Sequence, residues 1–432
     1  MVVLLLALSA CDLNADEDVT PTVTEPTVGP SPSSTPPEVS TPQTSEPLPP
    51  PAQGITLTVW TSAEIAPNND VPGGQVLLEQ LSTFDNERAD VNILVELKTI
   101  SDQGGTLSYL RTGRSVAPGI LPDVILLPSS QLPSAADEGL IFPLDTERLD
   151  EAVEDLHPVA RDLVEVDEEL YGYPFALTNL NHMVYDRSVI TETVSTDWSQ
   201  LVADTPGVFV FPAAGASGAS LTAQFYRQLG GTFVDDTGQP TLQSEPLEGA
   251  LGLMQEAVTA GFIDPQSASA SNPDQVWQIF AESSSRIVQT NANVLLARRA
   301  EVATSDLRTL PLPGPSGALT STVGALTWAV STPDAERQAL AVELIDWLVS
   351  APNMGAWCLQ SNQVPARSAA FDEWPSDSYT SFLQRQLEVA QPEPADLSNT
   401  ILTALSDATS AVILGAATPA ESAEDAISAL RP

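Results

Sequence analysis

The sequence predicts an α/β fold, and three observations lead to it. Along residues 55–128, short runs of β-branched and apolar residues alternate with stretches of helical period, the pattern of βαβ units and a parallel sheet. A second block, 230–265, joins a turn to one helix of regular apolar spacing, and a third, 325–371, joins a strand to two consecutive helices. Hydrophobic residues make up 42% of the 432, enough for two domains or one large two-lobed unit.

Taken in order, the chain starts with something other than fold. Residues 1–10 end an apolar run at Leu8-Ser9-Ala10, directly before Cys11. This resembles the bacterial lipobox, in which the cysteine takes a lipid and becomes the first residue of the mature chain. The basic n-region of such a leader is missing, since no Lys or Arg precedes Arg88, so a longer leader is expected. Residues 11–54 follow as anchor and tether, rich in Pro, Thr, Ser and acid and without an aromatic residue past Cys11. Such a segment buries too little apolar surface to offset its ordering entropy and is expected to be an extended linker.

The folded part is expected to begin at ITLTVW, 55–60, where Ile55, Leu57 and Val59 alternate with threonines, the period of a strand. Val76, Leu77, Gln80, Leu81 and Phe84 share one helical face within 73–90. VNILVEL, 91–97, reads as strand, 106–114 as helix, and PDVILLP, 122–128, as a buried strand. Asp235-Asp236-Thr237-Gly238 marks a turn between Phe233 and Leu242. Pro246 then suits the first turn of a helix faced by Leu247, Ala250, Leu251, Met254 and Val258, with Gly261 at its end. Thr332 and Pro333 suit N-cap and first position of a helix whose Leu340, Leu344 and Leu348 lie on one face.

Composition narrows the function classes. A net charge of −41 with a single lysine, Lys98, excludes the clustered cations that nucleic-acid binding needs. His157 and His182 are the only histidines, which argues against a zinc site, and no metal or cofactor is expected. Cys358 has no partner if Cys11 is lipidated, and reads as a buried thiol near a helix. No segment after the start has 18 uninterrupted apolar residues, so no later spanning helix is expected.

Four stretches in order carry a family resemblance. They are ITLTVW, ELYGYPFALTNLNHMVYDRSVI (169–190, with Asp186 where Asn is usual), the Gly-Gly to Gly-Phe-Ile block of 230–263, and AVELIDWLVSAPNMGAWCLQSNQVPARSAAF (341–371). Together they resemble the extracellular solute-binding proteins of ABC importers, in the sugar-binding, maltose-binding-protein-like branch. The resemblance implies a periplasmic-binding-protein-like fold: two discontinuous α/β lobes, a hinge and a central ligand cleft. It implies crossings near 176–182, 322–328 and 364–370, with 55–176 plus 328–364 as lobe one and 182–322 plus 370–432 as lobe two. It also implies a monomeric, non-catalytic carrier of a sugar or oligosaccharide, lipid-anchored outside the bacterial membrane, that meets the permease after hinge closure.

Sugar sites combine aromatic platforms with a rim of amide, hydroxyl and charged groups. In open α/β sheets ligands sit beyond the carboxyl ends of strands. By position the candidates are Trp60, Ser62, Ser129, Ser130, Phe175 and Asn179. The resemblance adds loops that carry Ser217, Asn291, Asn293, Trp328 and Arg367. The rival class is a secreted, lipid-anchored hydrolase or glycosidase. GASGAS, 215–220, misses the G-x-S-x-G elbow at Ala219, and His157 or His182 would have to act as base. A surface lipoprotein without a cleft is a third class.

Overall fold

Alternation sorts the strand residues between two helical layers, and the sheets follow from that. The computed structural model describes residues 54–431 apart from 89, 101–103, 206–207 and 303–304. The leader, Cys11 and the tether lie outside the described residues. In chain order, the first part comprises β1 (Ile55–Thr61), α1 (Gly74–Glu87), β2 (Val91–Leu97), α2 (Thr106–Val116), β3 (Val124–Pro128) and β4 (Tyr173–Thr178). The second comprises β5 (Asn181–Asp186), β6 (Phe209–Val210), α3 (Ser220–Gln228), α4 (Ser244–Thr259), β7 (Ile287–Asn291), α5 (Ala292–Ala297) and β8 (Leu307–Leu310). The last comprises β9 (Thr322–Val330), α6 (Ala335–Val349), α7 (Ala351–Ser361), β10 (Val364–Pro365), α8 (Ser378–Leu387), β11 (Gln391–Pro392), α9 (Asn399–Ile413) and α10 (Pro419–Ala429).

The larger sheet has the order β10-β4-β9-β3-β1-β2, with β11 paired to the start of β9, and the smaller has the order β8-β5-β7-β6. β1 is parallel to β2 and β3, as the βαβ reading expects. The sheet as a whole is mixed, because β9 returns antiparallel between β3 and β4. That return is a consequence of discontinuity: β9 arrives from the second sheet and not from a crossover helix on the first. The two sheets belong to one compact unit, Ala52–Pro432.

The chain passes from β4 to β5 through Asn179 and Leu180 alone, inside the first expected crossing. The other two differ from expectation. β9 is hydrogen-bonded in the larger sheet from Gly324 onward, so the second transfer lies upstream, between Leu310 and Thr322. Val364–Pro365 pairs with β4 in that sheet, and residues 369–373 pack on α7. The third transfer therefore follows residue 373. Strand pairing moved both, and apolar pattern alone does not reveal which sheet a strand joins.

Period-two alternation divides the core. From β1, Leu57 and Val59 enter the cluster beneath α1, α6 and α7, whereas Trp60 enters the one beneath α2. From β5, Val184 joins the first cluster, while Met183 and Tyr185 join the cluster around α3, α4, α9 and α10. At the sheet edge Asp123 accepts from Thr58 N at 2.8 Å and from Arg337 Nε at 2.7 Å, which pairs a nearly buried carboxylate. The helix after β9 starts later than expected: Asp334 is the N-cap and accepts from Arg337 N, so Thr332 and Pro333 stay in the preceding loop. α4 starts at Ser244, buries Ala257 fully and packs the half-buried Val258 on the same core, and gives way at Gly261 with φ +72°. Cys358 is fully buried in α7.

Candidate functional site

Strand direction decides where a site can form. β1, β2, β3 and β4 all run the same way, so their carboxyl ends lie on one edge of the larger sheet together with the starts of β9 and β10. In the smaller sheet, the start of β5 shares an edge with the ends of β6, β7 and β8. The two edges meet at the transfer peptide 179–180, where Ala292 N donates to Leu180 O at 3.0 Å. Loops beyond carboxyl ends of strands are where α/β folds hold ligands.

Seven of the predicted residues fall on these edges. Ser62 directly follows β1; it is 1% exposed and its Oγ has no hydrogen-bond partner among the described residues. Ser129 follows β3 and its Oγ accepts from Ala325 N at 3.0 Å, tying the end of β3 to the start of β9; Ser130 beside it is exposed. Asn179 occupies the transfer peptide with φ +61°, a left-handed conformation that Asn tolerates better than most residues. Asn291 ends β7 and caps α5, accepting from Val294 N at 3.0 Å. Asn293 spans the two sheets' segments: its Nδ2 donates to Asn362 O at 2.9 Å and to Gln363 Oε1 at 2.6 Å. Ser217 is exposed in the short helix Gly215–Gly218 that follows β6.

Four predicted residues go elsewhere. Trp60 is 5% exposed, with its ring under α2, the Lys98 Nζ 4.6 Å from its centroid and Tyr109 edge-on. Phe175 is fully buried, stacked on Trp357 at 4.1 Å and tilted against Trp328 at 5.6 Å. Trp328 thereby belongs to the same aromatic core. Arg367 is bonded through Nε to Asp155 at 3.0 Å and through a terminal nitrogen to Val349 O at 3.0 Å, away from the facing edges. For the three aromatic residues the common reason is position within the strand, and Arg367 is drawn off by its ion pair with Asp155. A side chain in a strand's body projects from a sheet face into a helical layer, and only residues past the last pair reach the edge.

Glu393 is a residue that sequence reasoning missed. It follows β11, and its backbone N donates to Val323 O at 2.9 Å. Its Oε1 accepts from Asn179 Nδ2 at 2.9 Å. The residue is exposed, yet surrounding protein pushes its carboxyl above the usual carboxylate range, against the lowering effect of the Asn179 bond. Pro392 and Pro394 on either side were the available signal, because prolines fix a short edge strand. Gln289 Oε1 and Thr290 Oγ1, near the end of β7, are likewise buried without partners. Among the described residues, buried polar atoms without partners thus occur on both edges, at Ser62 and Thr290, and also away from them, at Gln80, His157, Arg299, Trp328 and Ser422.

Neither histidine is placed for proton transfer at the edge. Burial pushes His182 down to about 4; its Nδ1 lies 3.3 Å from Leu180 O and its Nε2 3.4 Å from Tyr379 Oη. Burial likewise lowers His157 to about 4, with Asp155 opposing, and its ring packs edge-on against Phe371. Among the described residues no group of three or more His, Cys, Asp or Glu is placed to hold a metal. A groove of about 510 Å³, lined by Asn69, Val71, Gly73, Gln75, Val76 and Gln360, adjoins the edge where the loop after β1 meets the end of α7.

Comparisons with known proteins agree with this architecture. Residues 89–382 match the family model described as bacterial extracellular solute-binding protein. The sugar-binding protein MalE of the phytopathogen Xanthomonas citri superposes with a TM-score of 0.68 at 18% identity, covering 86% of this chain and 95% of that one. A maltose-bound MalE3 of T. maritima gives 0.66 at 16% identity, over 87% and 99%. A cyclic alpha-maltosyl-1,6-maltose binding protein from Arthrobacter globiformis gives 0.65 at 16%, over 87% and 98%. No curated protein matches the chain in sequence.

Proposed function

The chain belongs to the bacterial extracellular solute-binding proteins, and from that premise we propose that it is the substrate-binding component of an ABC importer for a sugar or oligosaccharide. The family places it outside the cytoplasm. The reading rests above all on one observation: two sheets present polar strand ends to each other across a two-residue transfer peptide, with the Ser62 hydroxyl unsatisfied there. Residues 62, 129, 130, 179, 217, 291 and 293 supply hydroxyl and amide groups, the chemistry that recognises sugar hydroxyls. The names of the structural neighbours, which include maltose- and sugar-binding proteins, point the same way.

Solute held between the lobes stabilises the closed arrangement by its differential affinity for the two arrangements. Rotation about the chain transfers then presents a loaded, closed protein to the permease. Cys11 carries the lipid anchor in this reading, and the tether lets a monomer reach its membrane partner. The carrier does no chemistry: its two histidines serve packing. A hydrolase would need one of them beside Ser217, and both rings are engaged with core residues.

The test is a thermal-shift screen of the mature protein with monosaccharides, oligosaccharides, amino acids and polyamines. Ligand binding to the folded state raises the melting midpoint by an amount that grows with the logarithm of the ligand's excess over Kd. A midpoint raised by a saccharide, with no turnover of that saccharide, supports the carrier. Hydrolysis of a glycoside, or a midpoint that no solute moves, contradicts it.

A further inference from the structure

The Glu393 carboxylate, at the junction of the two sheets, carries a more specific reading, which rests on the proposed solute-binding role. We infer that Glu393 is a specificity-determining residue whose Oε2 accepts a hydrogen bond from a solute hydroxyl, so that the site takes uncharged polyhydroxyl solutes and rejects their acidic counterparts.

Three features lead there. First, the carboxylate is held in place at the junction of the sheets. The backbone N of Glu393 bonds Val323 O, and its Oε1 takes the Asn179 Nδ2 proton. Second, Oε2 carries no hydrogen bond among the described residues, although space has been left for it. A Cβ built on Gly324 would lie 3.0 Å from Glu393 Oε2 and 3.0 Å from Thr178 Oγ1, so glycine at 324 lets the carboxylate and the hydroxyl approach the strand. A carboxylate offers about four acceptor sites, and Asn179 occupies one.

Third, the two cations that the loops beyond β2 and β10 supply, Lys98 and Arg367, are both already engaged with carboxylates. Lys98 follows β2, but it is ion-paired to Glu96 at 2.9 Å and lies over Trp60. Arg367 is bound to Asp155. With a net charge of −41 on the chain, an acidic solute beside Glu393 would meet like charge. A hydroxyl donating to a carboxylate makes a charge-assisted bond, stronger than the same bond to an amide. The partners around it are Thr178, Asn179 and, along the same edge, Ser129 and Ser130: neutral groups that suit hydroxyls and give an ammonium group no second counter-charge.

The experiment compares the wild-type protein with Glu393→Gln and Gly324→Ala, by thermal shift and calorimetry, against D-glucose, maltose and ribitol as neutral probes, D-glucuronate as the acid and putrescine as the cation. The expected result is that a neutral probe binds the wild type and glucuronate does not. Glu393→Gln should keep the solute-free melting midpoint yet weaken that neutral probe by roughly 10- to 100-fold, and it should narrow the preference over glucuronate. Gly324→Ala, which displaces the carboxylate end, should weaken the same probe without removing the charge. A narrowed preference is a readout that a merely structural hinge role would not produce. Equal affinity in Glu393→Gln, glucuronate binding as tight as the neutral probe, or binding of putrescine alone overturns the inference. Failure of every probe on the wild type strikes the solute-binding reading itself and the inference with it, and is visible before any substitution is made.

Discussion

Phe175→Ala separates scaffold from site. The ring is fully buried, lies 4.1 Å from the Trp357 ring and 5.6 Å from Trp328, and its backbone carbonyl accepts the Cys358 Sγ–H at 3.7 Å. Removing a fully buried ring forfeits about 2–3 kcal/mol of transfer free energy. The cavity it leaves, between two tryptophans that cannot collapse into it, raises the expected cost to about 3–5 kcal/mol. The lost aromatic pairs, about 0.5–1.5 kcal/mol, are part of that total. In guanidinium titrations, with a slope of roughly 4–6 kcal/mol/M, the midpoint should fall by about 0.5–1 M. Phe175→Leu, which refills most of the volume, should recover more than half of the loss. Affinity for the bound saccharide should change little in the folded fraction. An unmoved midpoint with abolished binding would refute this reasoning and return Phe175 to the solute site.

Three further predictions concern single features. His182 and His157 are held neutral by burial, at about 4 against an ordinary value of about 6.5. Between those values the unfolded chain binds more protons, so stability is full above about pH 6.5 and is lost as pH falls towards 4, by up to about 3 kcal/mol for each ring. His182→Phe should therefore gain on wild type by about 2–3 kcal/mol when denaturation at about pH 4.5 is compared with pH 7; parallel pH profiles contradict it. Asn179 has φ +61°, so Asn179→Ala should cost about 1–2 kcal/mol and Asn179→Gly clearly less, measured by chemical denaturation; equal costs would remove backbone strain as the cause. At Gly355 a Cβ would lie 2.3 Å from Ala370 O, so Gly355→Ala should cost about 2–3 kcal/mol by separating α7 from residues 369–373; a neutral substitution would mean that contact yields freely.

Much of the fold was legible because it is local. The Thr/Val alternation of β1, the apolar face of α1 and the Asp235–Gly238 turn are each fixed by residues a few positions apart. The antiparallel insertion of β9 was not, since its neighbours β3 and β4 lie far away in sequence, and hydropathy is the same in either direction. The site divides along the same line. Ser62, Ser129 and Asn179 were chosen because they follow strands, a position that local pattern reveals, and their hydroxyl and amide chemistry needs no long-range knowledge. Trp60, Phe175 and Trp328 were chosen for aromatic chemistry, but their orientation depends on which sheet face each occupies and which helix covers it. Asn293 and Glu393 work through partners 69 and 214 positions away, a relation no local pattern carries.

In the proposed carrier, two lobes close around a solute. Small-angle X-ray scattering of the mature protein, with and without a saturating saccharide found by thermal shift, measures that closure directly. Lobe closure predicts a smaller radius of gyration and a shorter maximum dimension in the loaded protein, reversed when the solute is removed. Identical scattering curves at saturation would contradict it.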